Sequence, residues 1–537
     1  MSKRFANIFF ISLGAMLFLT VGFFLVLFLA PGFSAFGLRY IAIDTRAYDS
    51  KEVIIMDQIG SFSGSIVIEC EDAPIKVQFT QGPVHTVRYY ENFSGLTTTK
   101  IENPALSVKM GKDGSAVIKV ESFKKYIFQN SNTERYLVLS VPLTSVAIED
   151  ESRRPSLTIN SKNSDISFAN NFEGEDLRIP EFNTVKIATN GNIQYDTHVK
   201  ATTYNLKTND SIVINEAKTI AVDATNYILV SVKGQVSVQK PVVGNLDITV
   251  YNTGIKLVSC ANLKARAGFG DITCYKKDAK IQVSGIVDIS TKAGSVVLGD
   301  VLGVGANKIS TGSGYVSIDK ILDGKITTKS GNVTVTSVNN VEIETNMGKV
   351  AVEEALSALK VTTKRSKVVL GGEGMIMNNV TAFSRIGDIT LLSATGKVNV
   401  QTVSSDISIT NSNSEDMTVD CGGKLVATGL KGLVNIKVAK DCSLKFVTIS
   451  DDAKIEAGDG CNKVKIEALS NSVKDTQLIL SGKKVVRWEE NEAGSSIFSK
   501  IEETTDLVNG LNGMEPLLKF AGKNAVVDLY LKSAPIE

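Results

Sequence analysis

Lys325-Ile-Thr-Thr-Lys-Ser-Gly-Asn-Val-Thr-Val335 is one copy of a phrase that this chain repeats many times. The next two copies are Val341-Glu-Ile-Glu-Thr-Asn-Met-Gly-Lys-Val-Ala-Val352 and Leu359-Lys-Val-Thr-Thr-Lys-Arg-Ser-Lys-Val-Val-Leu370. Each copy has an alternating apolar strand, a bend of small residues and a second alternating strand. The bends are separated by 17, 17, 18, 21, 18 and 18 residues and lie at Gly314, Gly331, Gly348, Ser366, Gly387, Ser405 and Gly423. This period predicts coils that stack and bury their apolar faces on one another.

Copies of the phrase extend over residues 156–488 as about 15 coils of 17–21 residues. Every coil runs in the same sense, and crossovers between parallel strands are right-handed. We therefore predict an all-β fold, a right-handed parallel β-solenoid. Residues 51–155 also alternate but lack the regular period, so we interpret them as an irregular β-rich region that leads into the coils.

The period ends after Trp488. Ile497, Ile501, Val508 and Leu511 then fall at helical spacing, and a strand pattern follows from Asn524. The last coil of a solenoid has an unpaired edge that promotes aggregation unless it is covered. Residues 489–537 are therefore predicted to form a small α+β cap.

An apolar stretch lies near the start of the chain. Residues 5–38 carry no charged side chain, and residues 8–30 are the most apolar part. A helix of about 20 apolar residues can cross a membrane. The stretch is longer than the apolar core of a signal peptide and lacks a clear cleavage site. We therefore expect residues 8–30 to be an uncleaved transmembrane signal anchor.

The flanking charges suggest how such an anchor would be oriented. Lys3 and Arg4 precede the apolar stretch, and cytoplasmic flanks are enriched in Lys and Arg. We expect residues 1–7 to be a cytoplasmic tail and residues 31–50 to be a linker. The localisation predicted is the cell membrane, with a single span that contacts membrane lipid and the bulk of the chain outside the cytoplasm.

Composition excludes some classes of partner and site. The 58 Lys and Arg residues nearly balance the 57 Asp and Glu residues, so we expect no nucleic-acid partner. None of the six cysteines lies in a CxxC pair. His85 and His198 are the two histidines and lie in unrelated contexts, and no serine has the surroundings of a hydrolase nucleophile. We expect no catalytic residue, no cofactor-binding residue and no cofactor.

Several segments carry a family resemblance. They are Leu137-Val-Leu-Ser-Val-Pro142, Lys329-Ser-Gly-Asn-Val-Thr-Val335, Thr311-Gly-Ser-Gly-Tyr-Val-Ser-Ile318 and Arg385-Ile-Gly-Asp-Ile-Thr-Leu391. With them the chain resembles, over roughly residues 60–480, a bacterial adhesin-like family of β-solenoid domains whose function is unknown. The resemblance implies a role at the cell surface and supplies no catalytic residue.

Acidic and amide residues recur just before the second strand of each coil. If the coils stack in register, Asp388 and Asp406 lie one above the other, close enough to share a cation. The same column places Lys367 and Lys424 on either side of the pair, so the four charges also neutralise one another without a metal. We favour the ion-pair interpretation and keep Asp388 and Asp406 as a weak candidate metal pair.

Two cysteines occupy similar positions in successive coils. Stacking would bring Cys442 and Cys461 close enough for a disulfide. Such a bond would persist outside the cell and not in a reducing cytoplasm. The alternative, which we favour slightly, is that both are small apolar fillers of the core. Cys274 and Cys421 share the parity of buried positions and are predicted to be core residues.

These features support a non-enzymatic, membrane-anchored surface β-solenoid that acts as an adhesin-like protein or an envelope scaffold. Its partner would be a cell-surface or envelope component. One alternative is a polysaccharide-active β-helix enzyme, although such enzymes use aromatic platforms and this chain has 1 tryptophan. Another alternative is a cytoplasmic membrane scaffold similar to the bactofilins, which would require the opposite orientation.

Overall fold

The structure is a computed structural model, and its contacts divide the chain into two compact units, Met1–Lys240 and Pro241–Glu537. The residues that it describes are 3–29, 42–49, 53–56, 65–80, 84–97, 106–112, 115–121, 126–129, 134–142, 155–170, 181–195, 200–208, 212–214, 223–231, 236–238, 242–274, 282–449, 451–492, 496–510 and 513–533.

The N-terminal helix α1 spans Lys3–Leu29. Within the part of the chain that is described, no helix is long and apolar enough to cross a membrane. The predicted transmembrane anchor over residues 8–30 is therefore contradicted.

The other described elements of the first unit are strands. They are β1 (Ala42–Asp49), β2 (Val53–Met56), β3 (Ser65–Cys70), β4 (Ile75–Thr80), β5 (His85–Thr97), β6 (Leu106–Met110), β7 (Ala116–Val120), β8 (Tyr126–Gln129), β9 (Glu134–Pro142), β10 (Ser156–Ser161), β11 (Ile166–Asn170), β12 (Glu181–Thr189), β13 (Ile193–Tyr195), β14 (Lys200–Thr208), β15 (Ile212–Ile214), β16 (Asp223–Ser231) and β17 (Val236–Val238).

Two parallel ladders organise this unit. One runs in the order β7, β3, β10, β12, β14 and β16, and the other in the order β9, β4, β11, β13, β15 and β17. Each coil contributes one strand to each ladder. Alternate side chains therefore point inward, and Ile68, Ile159 and Ile187 occupy one buried column of the first ladder.

The irregular region before the coils owes its irregularity to one long strand. β5 pairs antiparallel with β1, β2, β8 and β9, and β6 pairs antiparallel with β7. β9 therefore lies between the antiparallel strand β5 and the parallel strand β4. This arrangement brings together side chains that are far apart in sequence.

The second unit contains the remaining described strands and one short helix, α2 (Ser470–Lys474). The strands are β18 (Val242–Val250), β19 (Ile255–Leu257), β20 (Cys260–Ala267), β21 (Ile272–Cys274), β22 (Gln282–Val283), β23 (Val287–Thr291), β24 (Val296–Val301), β25 (Lys308–Thr311), β26 (Val316–Thr328), β27 (Val333–Met347), β28 (Val350–Arg365), β29 (Val368–Leu370), β30 (Met377–Ser384), β31 (Ile389–Leu392), β32 (Ala394–Thr402), β33 (Ile407–Thr410), β34 (Asn413–Cys421), β35 (Leu425–Val438), β36 (Cys442–Phe446), β37 (Ala453–Ala457), β38 (Lys463–Leu469), β39 (Gln477–Glu490), β40 (Phe498–Asn509) and β41 (Leu517–Lys532).

The core of the second unit is a set of straight apolar columns. One column is formed by Ile289, Ile309, Ile326, Ile343, Val361, Ala382, Val400, Val419, Ile436, Ile455 and Phe520, all buried and each paired with the next. Full burial of a Val, Ile or Phe side chain stabilises the fold by about 1.5–3 kcal/mol. The short phrase repeated in the sequence therefore stabilises the fold through these columns.

The predicted right-handed parallel β-solenoid is wrong because the strand pairings close on themselves. β28, β29, β31, β33, β35, β34, β32 and β30 form a closed circuit of parallel pairs, and the other strands are added to it. β28 has 16 residues and β35 has 14, so each bends from one ladder into the other. These two long strands close the circuit.

The predicted α+β cap is also wrong. Ile501 and Val508, two of the residues with helical spacing, lie in strand β40, which pairs antiparallel with β39. Leu511 lies outside the described residues. β41 pairs in parallel with β37, β38 and β39, so it covers the ends of both ladders. The cap is built from strands because these pairings satisfy the backbone groups of the last coil.

The bends depend on glycine because successive coils approach closely. A Cβ atom at Gly331 would overlap the carbonyl oxygen of Gly314 in the preceding coil. Beside each bend lies a column of buried hydroxyl side chains, formed by Thr291, Thr311, Thr328, Thr345, Thr363, Ser384 and Thr402. Six of these seven hydroxyls donate to backbone carbonyls near the bends, as when Thr311 Oγ1 donates to the carbonyl of Gly294 at 2.8 Å. Thr363 Oγ1 has no hydrogen-bond partner among the described residues.

Candidate functional site

The bend column holds the candidate metal pair. Asp388 and Asp406 lie in adjacent coils, but Asp388 Oδ1 accepts the backbone N–H of Asp406 at 3.2 Å. Asp406 Oδ1 likewise accepts the N–H of Lys424 at 2.7 Å. Asp271 and Asn332 form the same bond to the coil that follows each of them. These side chains tie each coil to the next, and a shared cation at Asp388 and Asp406 stays a prediction.

All six cysteines are buried free thiols in this structure. Cys442 lies in a core column between Leu425 and Val464, whereas Cys461 precedes that column in the turn before β38. Burial raises the pKa of Cys442, and the neighbouring Cys461 raises it further. The two thiols are therefore close to one another but do not lie in the same column. A Cys442–Cys461 disulfide stays a prediction. The core positions predicted for Cys274 and Cys421 are observed.

Of the two histidines, only His85 lies in the described residues. His85 begins β5, and burial lowers the pKa of its imidazole to about 4. His198 lies outside the described residues. Among the described residues, no group of three or more His, Cys, Asp and Glu side chains could hold a metal ion.

A charged ladder covers part of the outer face of the second unit. Lys325 Nζ lies 3.3 Å from a carboxylate oxygen of Glu342 and 2.6 Å from one of Glu344. Lys360 Nζ lies 2.6 Å from the other oxygen of Glu342, and this contact holds the pKa of Glu342 below its usual range. Acids and bases on this face pair with one another across coils.

A second cluster, which we call the cap cluster, lies where β38 pairs with the cap strand β41 and is centred on Glu467. Its side chain is 5% exposed, and its oxygens lie 2.5 Å from Lys465, 3.4 Å from Lys445 and 4.0 Å from Lys532. Burial alone would raise the pKa of Glu467, but the Lys465 hydrogen bond and the other lysines outweigh it and lower the pKa. Glu467 therefore stays ionised at neutral pH and is unsuited to act as a general acid.

Aromatic rings extend the cap cluster. The Trp488 and Tyr530 rings stack with centroids 5.8 Å apart, and Phe498 meets Tyr530 edge-on at 5.0 Å. Lys465 Nζ lies 4.9 Å from the centroid of the Tyr530 ring. Trp488 Nε1 donates to Asp528 Oδ1 at 3.1 Å. These rings pack on one another across β39, β40 and β41, so the tryptophan consolidates the cap.

The first unit contains a cavity of about 710 Å³ on the outer face of one sheet. We call this surface, formed by β5, β9, β4, β11 and β13, the tyrosine face. Strand register arranges its side chains in three rows across the strands. The first row is Tyr90, Tyr136, Pro74, Asp165 and Asn192, the second is Arg88, Val138, Lys76, Ser167 and Gln194, and the third is Thr86, Ser140, Gln78 and Ala169.

The tyrosine face combines one aromatic end with amide and hydroxyl groups. Tyr90 and Tyr136 stack with centroids 5.1 Å apart and an interplanar angle of 24°, and Tyr136 is 40% exposed. Gln78 Nε2 donates to Ser140 Oγ at 3.1 Å in the third row. The face therefore presents flat apolar surface beside hydrogen-bonding groups, as ligand sites commonly do.

Charges on the tyrosine face are largely balanced. Arg88 forms a two-bond ion pair with Asp49, with Arg88 Nε at 2.8 Å from Asp49 Oδ1. Asp165 Oδ1 accepts the backbone N–H of Asn192 at 2.8 Å. Within the described residues, Lys76 has no carboxylate at ion-pair distance. The carboxylate of Asp165 keeps its charge and offsets that of Lys76, so the face is nearly neutral overall, with one lysine available to a ligand.

The sequence indicates the location of this face through an interruption of the repeat. The region before residue 156 departs from the repeat, and the departure itself marks the strands β5 and β9 that widen the sheet. Which side chains share a row could not be inferred, because Gln78 and Ser140 are 62 residues apart in the chain.

Comparison with known proteins identifies one similarity. A protein-family model described as Toastrack DUF4097 matches residues 64–392, which begin next to β3 and end with β31. The matched domain is β-solenoid-like and of unknown function, so this coarser form of the predicted repeat is confirmed, whereas the adhesin label is not. No curated protein and no solved structure matches the chain.

Proposed function

Since the chain belongs to the Toastrack DUF4097 family, we propose that it is a non-enzymatic, adhesin-like scaffold of the cell surface or envelope that binds ligand along the tyrosine face. The observation that carries this proposal is the tyrosine face itself, a groove of about 710 Å³ lined by fixed strands. Strands hold side chains more firmly than loops do, which favours recognition of an extended partner.

The outer polar groups of the coils support a scaffold role. Asp271, Asn332, Asp388 and Asp406 each bond the backbone of the next coil. The charged ladder at Lys325 and Glu342 is likewise paired across coils. These groups stabilise the stack. The tyrosine face, by contrast, surrounds a cavity of about 710 Å³ and presents a stacked tyrosine pair beside hydrogen-bonding side chains.

An enzyme active site would be expected at the cap cluster, where acids, bases and aromatic rings meet. Glycoside hydrolysis needs one carboxyl group that holds a proton near neutral pH. The pKa of Glu467 is lowered by its lysines, and Asp528 accepts the Trp488 N–H and lies 3.6 Å from Lys463. This arrangement supports structural roles for both carboxylates, so we favour binding without turnover.

The proposed function is tested by following ligand fate. The full chain is incubated with panels of oligosaccharides and peptides, and bound and free material is analysed by mass spectrometry. We expect retained compounds of unchanged mass. Shortened or unsaturated products that need the protein would refute a non-enzymatic role. Protease shaving of intact cells tests the proposed location, and protection of both units would contradict it.

A further inference from the structure

The shape of the tyrosine face constrains what it can hold. Its rows run across the strands, so side chains in one row recur at the inter-strand spacing of about 4.8 Å. The second row crosses five strands from Arg88 to Gln194. A ligand lying along a row therefore meets a new side chain at each strand, which suits an extended chain of similar units.

The chemistry of the rows alternates between stacking and hydrogen bonding. Tyr136, Pro74 and Val138 supply apolar surface, with Tyr136 40% exposed. Ser167 and Gln194 supply a hydroxyl and an amide on the neighbouring strands. Sugar rings have the complementary pattern, since they carry apolar C–H faces and a rim of hydroxyl groups, and amphipathic rings such as Tyr suit such mixed surfaces.

The charge of the face favours a neutral or weakly acidic chain. Arg88 is paired with Asp49, and Asp165 accepts the N–H of Asn192. On this face, Lys76 has no carboxylate at ion-pair distance among the described residues. Nucleic acid requires many cations to neutralise its phosphates, so one lysine does not suit it.

A peptide fits this face less well. Extended peptides bind sheets by adding a strand to an unpaired edge. β9, β4 and β11 each have neighbours on both sides, so the face offers side chains rather than free backbone groups. We therefore infer that the tyrosine face binds an extended carbohydrate chain, which stacks on Tyr136 and bonds Ser167 and Gln194. This inference rests on the proposed binding role and names its ligand class.

The test uses the full chain and calorimetric titration with oligomers of β-linked glucose, of N-acetylglucosamine and of galacturonic acid. Tyr136→Ala should weaken binding at least tenfold, whereas Tyr136→Phe keeps the aromatic ring and should bind as the native protein does. Tyr251→Ala is the matched control, since Tyr251 is 52% exposed and lies in the second unit. Gln194→Ala, at the far end of the second row, should also weaken binding. It replaces Tyr136→Ala as the test variant if Tyr136→Ala does not fold.

Lys76 distinguishes the two kinds of carbohydrate. Lys76→Met should weaken binding of the galacturonic acid oligomer and leave binding of the neutral oligomers unchanged. Lys186→Met is the control, because Lys186 is an exposed lysine on β12. Failure of the full chain to bind any oligomer, or binding equal in Tyr136→Ala and the native protein, would overturn the inference. Binding of peptides alone would overturn it and leave the adhesin-like role standing, whereas cleavage of a bound oligomer would overturn the non-enzymatic role alone.

Discussion

Substitution of Gly331 by alanine tests the bend geometry most sharply. The bend residues of neighbouring coils lie so close that a Cβ at Gly331 would overlap the carbonyl oxygen of Gly314. Neither group can move aside freely. The Val316 N–H donates to Asn332 at 2.8 Å and the Val333 N–H to Lys349 at 2.8 Å, which fixes the backbone on both sides.

The expected loss follows from strain and from hydrogen bonds. Forcing an extra methyl group into a packed site costs about 1–3 kcal/mol. Displacing the bend weakens one or two backbone hydrogen bonds at about 0.5–1.5 kcal/mol each. We expect Gly331→Ala to lower the free energy of unfolding by about 2–4 kcal/mol. With a urea slope of about 3 kcal/mol/M, the unfolding midpoint falls by about 1 M.

Urea unfolding followed by tryptophan fluorescence measures this loss, because the chain has 1 tryptophan and Trp488 lies in the same unit as Gly331. Gly458→Ala is the matched control. The nearest atom to a Cβ there is the carbonyl oxygen of Val438 at 3.6 Å, an ordinary contact. A Gly331→Ala variant as stable as Gly458→Ala would refute the close approach of the coils.

Three further predictions concern titratable groups. Glu467→Gln should destabilise the second unit by about 1–3 kcal/mol at pH 7. Because the pKa of Glu467 is lowered in the folded state, the difference in unfolding free energy from the native protein should shrink as the pH falls through that pKa. Urea unfolding at several pH values measures this difference, and a constant difference would contradict the lysine contacts. Burial lowers the pKa of His85 to about 4, so the unfolded chain binds protons more readily and the first unit should lose stability as the pH falls from about 6.5 towards 4; circular dichroism of His85→Gln should show a smaller loss, and an unchanged pH profile would disagree. Burial raises the pKa of Cys274 to about 12 and that of Cys461 to about 11, so a thiol reagent should label the six cysteines only after unfolding, and rapid labelling of the native protein would contradict their burial.

The repeat was predictable because its cause is local. The spacing of Gly314, Gly331 and Gly348 reflects a close approach that recurs in every coil, so the β-solenoid-like organisation is present in the sequence itself. The same spacing places Asp388 one coil from Asp406. The spacing does not indicate that one oxygen of each carboxylate already accepts a hydrogen bond from the backbone N–H of the next coil.

The cap was not predictable from periodicity. Ile497, Ile501 and Val508 are each more than half exposed, so their helical spacing reflects no buried face. A pattern of apolar residues indicates an element only when burial produces the pattern. The closed circuit of strands was equally hidden, because it depends on β28 and β35 being long enough to join two ladders.

The candidate face lay beyond sequence reasoning for a different reason. Its rows join strands that are remote in the chain, and the register of β5 against β9 is set by antiparallel pairing outside the repeat. Departure from periodicity indicated where to look, and it could not show which side chains meet. Cys442 and Cys461 illustrate the same limit, since the turn before β38 places Val464 opposite Cys442.

Hydroxyl-radical footprinting of the full chain, saturated with the tightest-binding oligosaccharide, is the most direct test of the account. We predict protection of Tyr136, Pro74 and Gln194 on the tyrosine face, with unchanged labelling of Tyr251 and Trp488. Protection confined to the cap strands or the outer faces of the coils, with Tyr136 labelled as in the free protein, would contradict it.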